Sequence, residues 1–259
     1  MADSISAMRS GYLNLCMKAI VAETTSREYS HMKRTRADSL SPRKQPRQRR
    51  SRVTIDTIFE ATIQVLLANG LDNITTIQIA ARAGVSVGSL YQYFPNKRAL
   101  LAAVVGRHVG DVVDATIAAC ASVHGKSVAE MCATMMHAFV AAKIRRPDVS
   151  RALYLPTAMV NADAIVKQES ARCARAVHDM LITASDATFA QAQEVSAVLV
   201  ASIVGPTRAA IEGQGDRDAF ERLKHHLTAL GVGYLKEMAT TATANSGDGR
   251  STGNGQAAH

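Results

Sequence analysis

Residues Thr75–Leu101 read TTIQIAARAGVSVGSLYQYFPNKRALL, and their succession of cap, helix, turn, helix and cap decides the fold. Thr75 can cap a first short helix. Gly84 opens a Gly-Val-Ser turn because glycine reaches a positive φ at little steric cost. Ser86 can cap a second short helix rich in hydroxyl and aromatic groups, and Asn96 can cap a third. Within residues 76–95, Ile79, Val85, Leu90 and Tyr93 can face inward and lock two helices together. Ala80 and Gly84 are small where those helices cross. This is the layout of a helix-turn-helix that reads DNA.

The side chains left outside suit that chemistry. Ser86, Val87, Ser89, Tyr91 and Gln92 project over a short segment. Hydroxyls on Thr75, Ser86 and Tyr91 can bond phosphates, as can Lys97 and the amides at helix N-termini. Gln92 can pair with a base edge, and Val87 can touch a thymine methyl in the major groove. Gly88 leaves room for the backbone to approach a phosphate.

The run Ala80-x-x-x-Gly84-Val85-Ser86-x-Gly88-x-Leu90-Tyr91-x-Tyr93-Phe94-x-Asn96-Lys97-x-x-Leu100-Leu101 resembles the signature of the TetR-type transcriptional regulators. The preceding segment, with Ala61 and an Ala68-Asn69-Gly70 ending, is similar to that family's first helix. The resemblance is strong from Ser51 to Val109 and weak beyond. It implies a three-helix DNA-binding domain joined through a fourth helix to a larger helical domain, which binds a small-molecule effector and dimerises through its last two long helices. The positions matching the family's DNA contacts are Thr75, Ser86, Val87, Gly88, Tyr91, Gln92, Tyr93 and Lys97. Val87 departs from the polar or basic residue that many relatives carry there, which leaves the base preference open.

Charge is partitioned along the chain. The net charge is +8, and residues 1–52 hold 12 Lys/Arg against 4 Asp/Glu, while residues 53–259 hold 18 of each. A basic arm before a neutral body fits a polyanion partner, here double-stranded DNA, and fits a solvated tail as well. Residues 33–52 contain nine Lys/Arg, two prolines and, besides alanine, one aliphatic residue, Leu40, so residues 1–50 are predicted to be a disordered arm. Met32 stands directly before the basic run, which allows translation to begin there.

The body is predicted to be all-α. Helices are expected over Thr54–Ala68, capped by Thr54 and stopped at Asn69-Gly70, and over Lys97–Ala121. A further helix opens at Gly125 and Ser127 and ends near Arg146-Pro147, and a short segment over Asp148–Leu155 is closed by Pro156. Next come Asn161–Thr183, an apolar helix Thr188–Glu212 interrupted at Gly205-Pro206, and Asp216–Met238. Phe220, Leu223, Leu227, Leu230, Tyr234 and Met238 recur there at heptad-like spacing, which suits burial within one chain or a homodimer through residues 188–212 and 216–238. The domain expectation is 51–110 for DNA binding, 111–239 for effector binding and dimerisation, and 240–259 as a disordered tail.

Other constellations read blandly. Cys16, Cys120, Cys132 and Cys173 are scattered, as expected of free thiols in a reducing cytoplasm. No apolar run promises a membrane span. His225-His226, His178-Asp179 and His108 with Asp111 lack zinc spacing, so neither a metal nor a cofactor is expected. Met131, Met135 and Met136, with His137 and Phe139, can line an adaptable pocket or fill a core. The absence of a P-loop, a dinucleotide turn or a nucleophile elbow argues against an enzyme. The expectation is a repressor released from a near-palindromic operator by a small molecule, and the rival is an architectural DNA-binding protein that answers to no ligand.

Overall fold

The computed structural model describes residues 49–160 and 162–240. The arm before Arg49, with Met32 and Cys16, and the tail beyond Thr240 lie outside the described residues. Among those described the chain is all-helical, with ten helices: α1 Arg49–Asn73, α2 Thr76–Ala83, α3 Val87–Tyr93, α4 Lys97–Ser122, α5 Val128–Ile144, α6 Pro147–Ala152, α7 Tyr154–Met159, α8 Asp163–Leu181, α9 Ala192–Glu212 and α10 Arg217–Met238. One isolated bridge, Thr188 to Thr240, fastens the chain before α9 to the end of α10.

Two apolar clusters organise the molecule. The lower one gathers Ile58, Leu66, Ile74, Ile79, Leu90, Phe94, Leu100 and Val104 from α1 to α4. The upper one gathers Met131, Met135, Met136, Val177, Met180, Leu199, Ile203 and Leu235 from α5, α8, α9 and α10. Helix α4 runs through both, giving Leu100–Val105 to the lower cluster and Val112, Val113 and Cys120 to the upper. Val149, Leu153, Val160 and Ala162 return from far along the chain to the lower cluster, so that core extends past residue 110. Each fully buried Leu, Ile or Met contributes about 1.5–3 kcal/mol relative to exposure.

Several predicted boundaries move. Helix α1 begins at Arg49, taking in the last residues assigned to the arm, so Thr54 is a helical residue and not a cap. Its stop is where expected: Gly70 has φ 74° and ψ 169°, which breaks the helical path inside Arg49–Asn73. Along this helix Val65 is buried while Leu67 is 41% exposed. The segment after α5 folds as two short helices, with Pro147 at the start of α6 and Pro156 inside the first turn of α7, where a missing N–H costs little.

Helix α9 starts at Ala192 and continues through Pro206 without interruption. Burial of Leu199, Ile203, Thr207 and Ile211 on either side outweighs the one hydrogen bond that proline removes. By length and composition alone this helix could cross a membrane, with a mean hydropathy of 1.4. Its buried face instead packs against α8, α10 and α5.

The methionine run is core: Met131, Met135 and Met136 are fully buried, and His137 is exposed. Cys120, Cys132 and Cys173 are free and buried. The α10 stripe divides. Phe220 and Leu227 face the core together with Gly231 and Leu235, whereas Leu230 is 55% and Met238 42% exposed.

Candidate nucleic-acid interface

Helices α2 and α3 are set by local hydrogen bonds that their sequence supplies. Thr75 accepts from the Gln78 amide at 3.2 Å, while Gln78 Oε1 accepts from the Thr75 amide at 2.9 Å, a reciprocal capping box. Gly84 ends α2 in the left-handed region, φ 67° and ψ 29°, and the Val85 amide donates to Ala80 O at 3.0 Å. Ser86 then caps α3, accepting from the Ser89 amide at 3.0 Å, with the two hydroxyls 2.8 Å apart. Asn96 caps α4 through the Ala99 amide at 2.8 Å. Ile79 and Leu90 are fully buried between the two helices.

This frame brings the expected residues onto one short stretch, with differences. Thr75, Ser86, Gly88, Tyr91 and Gln92 are exposed. A Cβ added at Gly88 would meet only Ser86 Oγ, at 3.8 Å, so within the chain nothing demands glycine there. Tyr91 Oη lies 3.2 Å from Thr76 Oγ1, which ties the end of α3 to the start of α2 and fixes how α3 is presented. Lys97 is exposed, but its ammonium donates to Ile74 O at 3.1 Å, leaving two protons for a phosphate.

Val87 and Tyr93 are half-buried and pack against the lower cluster, so Val87 offers only part of its side chain outward. The reason is position: Val87 opens a helix of seven residues, where the first turn lies close over the core.

Two neighbours escaped sequence reasoning. Thr76 holds Tyr91, and Ile77, at 69% exposure, is the most exposed large apolar side chain described. Ile77 sits two residues before Ile79, a spacing that cannot share one helical face, and this was the available signal. With helix N-termini, hydroxyls, an amide and a cation on one edge, the surface can neutralise phosphates and read base edges.

The remaining candidates do not join this surface. An open groove of about 460 Å³ is lined by Asp56, Glu60, Gln64 and Arg82 with apolar and hydroxyl neighbours. Its polar groups are engaged: Arg107 with Asp56 at 3.0 Å, Arg146 with Glu60 at 2.8 Å, Arg82 with Gln64 at 2.7 Å. The Arg146 guanidinium holds the Glu60 carboxyl below its usual range. His108 Nε2 lies 3.1 Å from Ser150 Oγ, the His225 and His226 rings meet edge-on at 5.9 Å, and His178 contacts Asp179 at 3.0 Å. Among the described residues no group of three or more His, Cys, Asp or Glu side chains can hold a metal ion.

Known proteins resemble this chain. The repressor KstR of Mycolicibacterium smegmatis is 39% identical over 61 residues, which cover 24% of this chain and 28% of that protein. An uncharacterized HTH-type transcriptional regulator of Mycobacterium tuberculosis is 34% identical over 56 residues, covering 22% of this chain and 30% of the relative. The chain therefore matches under a third of the length of these curated relatives.

Solved structures match over far more. A TetR-family regulator from Mesorhizobium loti superposes with a TM-score of 0.58 at 15% identity, covering 74% of this chain and all of that one. The fatty acid degradation regulator FadR of Bacillus halodurans does so with 0.57 at 16%, covering 69% and 94%. At such identities they share the fold. Residues 58–104 match the family of bacterial regulatory proteins described as tetR, and residues 127–235 match the tetracyclin repressor-like C-terminal domain. With both of its domains matched in order, this chain belongs to the TetR family of bacterial regulatory proteins.

Proposed function

We propose that this chain is a cytoplasmic repressor that binds a near-palindromic DNA operator as a homodimer and is released by a small-molecule effector. The observation that carries the reading is the capped pair α2–α3, which presents Thr75, Ser86, Tyr91 and Gln92 on one exposed edge over a buried Ile79–Leu90 lock. Gln92 is the base-reading residue, Tyr91, Ser86, Thr75 and Lys97 hold phosphates, and Gly88 lets the backbone close on one.

The dimer reading is supported by α9 and α10. Val198, Leu230 and Met238 are exposed there at 38%, 55% and 42%. Gly205 and Gly233, exposed on the same two helices, meet nothing within 4 Å of an added Cβ and would let a second copy approach closely. Two recognition helices would then reach major grooves about 34–36 Å apart, or slightly more.

Effector release needs an element whose two positions differ in recognition-helix placement. What supports α6 in that role is its packing on α1, α5 and α9, with Arg146 at its start making a two-pronged contact with Glu60 of α1, at 2.8 and 3.2 Å. Selection of bound DNA from a random pool, followed by a metabolite screen for relief, tests the reading. The expected result is one palindrome whose binding a small molecule abolishes. Sequence-independent, metabolite-insensitive binding overturns it in favour of an architectural role.

A further inference from the structure

Two exposed residues of α2, Ile77 and Ala81, lie one turn apart beside α3. They share a face, since residues four apart on a helix stand one above the other. That face is not the one turned to α1. Arg82, whose Nε donates to Gln64 Oε1 of α1 at 2.7 Å, lies about 140° round the helix from Ile77. On the other flank of Ile77 come Ala80, buried in the lower cluster, and Thr76, whose Oγ1 lies 3.2 Å from Tyr91 Oη of α3. Ile77 therefore projects from the α3 side of α2, continuous with the edge that carries Thr75 and Tyr91.

The residue type is at odds with its place. Ile77 is 69% exposed, and its neighbour one turn on, Ala81, is too small to cover it. The first turn of a helix favours an acidic side chain, because its amides carry partial positive charge. Helix α2 has none there. Isoleucine is also a poorer helix former than alanine or glutamate. An acid on this edge would repel phosphates, whereas an apolar side chain meets its own kind on a base. In the major groove that apolar group is the C5 methyl of thymine. Val87 of α3 has the chemistry for that methyl, but it is half-buried and packs on the lower cluster.

We propose that Ile77 is a specificity-determining residue of the DNA-binding surface, its side chain closing on the C5 methyl of one thymine in each half-site. The proposal rests on reading α2–α3 as that surface and names a base that it selects. Helix α2 then contributes to base choice as well as to phosphate contact. The contact takes the methyl and the isoleucine tip out of water together, and a buried methyl of this kind is worth about fourfold in affinity.

The test uses the full-length protein and the operator that it selects from a random DNA pool. Each thymine of that operator is replaced in turn by deoxyuridine, which keeps every pairing and hydrogen-bonding group and deletes the methyl alone. Affinities are measured by fluorescence anisotropy for the parent, Ile77→Ala and Ile77→Val. The expected result is one thymine in each half-site whose methyl is worth about fourfold to the parent, most of that to Ile77→Val, and nothing to Ile77→Ala.

A thymine sensed through Val87 instead keeps its methyl dependence in Ile77→Ala, which separates the two residues. Thermal unfolding of Ile77→Ala should match that of the parent, since the position is exposed and alanine is the better helix former. If no thymine loses its methyl dependence in Ile77→Ala, the Ile77 contact is overturned, and the DNA-binding reading stands on the selected consensus. A parent that selects no consensus overturns that reading and the contact with it.

Discussion

His108 shows what burial does to a single side chain. It sits on α4 against Ser150, and burial, reinforced by three nearby cations, lowers its pKa to about 4. In the unfolded chain it titrates near the ordinary value of about 6.5. Between those values the unfolded state binds the extra proton, so stability falls as pH drops from about 6.5 to about 4 and is flat above. Integrated over that window the loss is of order 2–3 kcal/mol. Urea unfolding at stepped pH checks it: His108→Gln should remove most of that acid slope, and an unchanged slope would contradict the assignment.

At the same scale, sequence reading placed Thr75, Ser86, Tyr91 and Gln92 correctly on the outside, because caps and periodicity are local. It placed Val87 and Ser89 outside as well, and both are half-buried. Whether the first turn of α3 leans on Ile79 and Leu90 depends on a crossing between helices that local spacing does not encode.

Among the elements, α10 carries the sharpest packing constraint. A Cβ on Gly231 would lie 2.5 Å from Cys132 Sγ, 2.8 Å from Met136 Cε and 3.3 Å from Leu199 Cδ1. Glycine there lets α10 close on α5 and α9. Gly231→Ala should therefore cost about 1–3 kcal/mol through overpacking, although alanine is the better helix former. A denaturant midpoint equal to that of the parent would show the helices free to part.

Helix α6 buries Val149 in the lower core and is tied to α1 at its start by one exposed ion pair, Arg146 to Glu60. Replacing Arg146 with Ala should change stability by under about 1 kcal/mol, as exposed pairs do. If a small-molecule effector acts through α6, the same change should reduce the fold-change in operator affinity that the effector causes. Elements were largely legible in the sequence where caps mark them, as at Asn96, Ser127 and Asp216. They were misread where tertiary burial overrides a breaker, as at Pro206 inside α9.

For the whole molecule, the two cores share α4, and α6 and α7 turn back to seal the lower one. No composition shift announces that return, so sequence reading divided the chain at residue 110. The charge partition, in contrast, is a property of composition and needs no coordinates. If the basic arm neutralises the DNA backbone, deleting residues 1–50 should weaken binding to all sequences and flatten the salt dependence. The log–log slope should fall by about 0.9 for each phosphate the arm no longer neutralises. An unchanged slope assigns the arm no part in binding.

If α3 reads bases through Gln92, DNA selection repeated with Gln92→Ala shows it most directly. The parent should select a near-palindrome with half-sites about 34–36 Å apart or slightly more. The variant should lose preference at one symmetric position per half-site, at a cost of about 1–3 kcal/mol, while keeping the rest. Recovery of the same full consensus by the variant, or of no consensus by the parent, would contradict it.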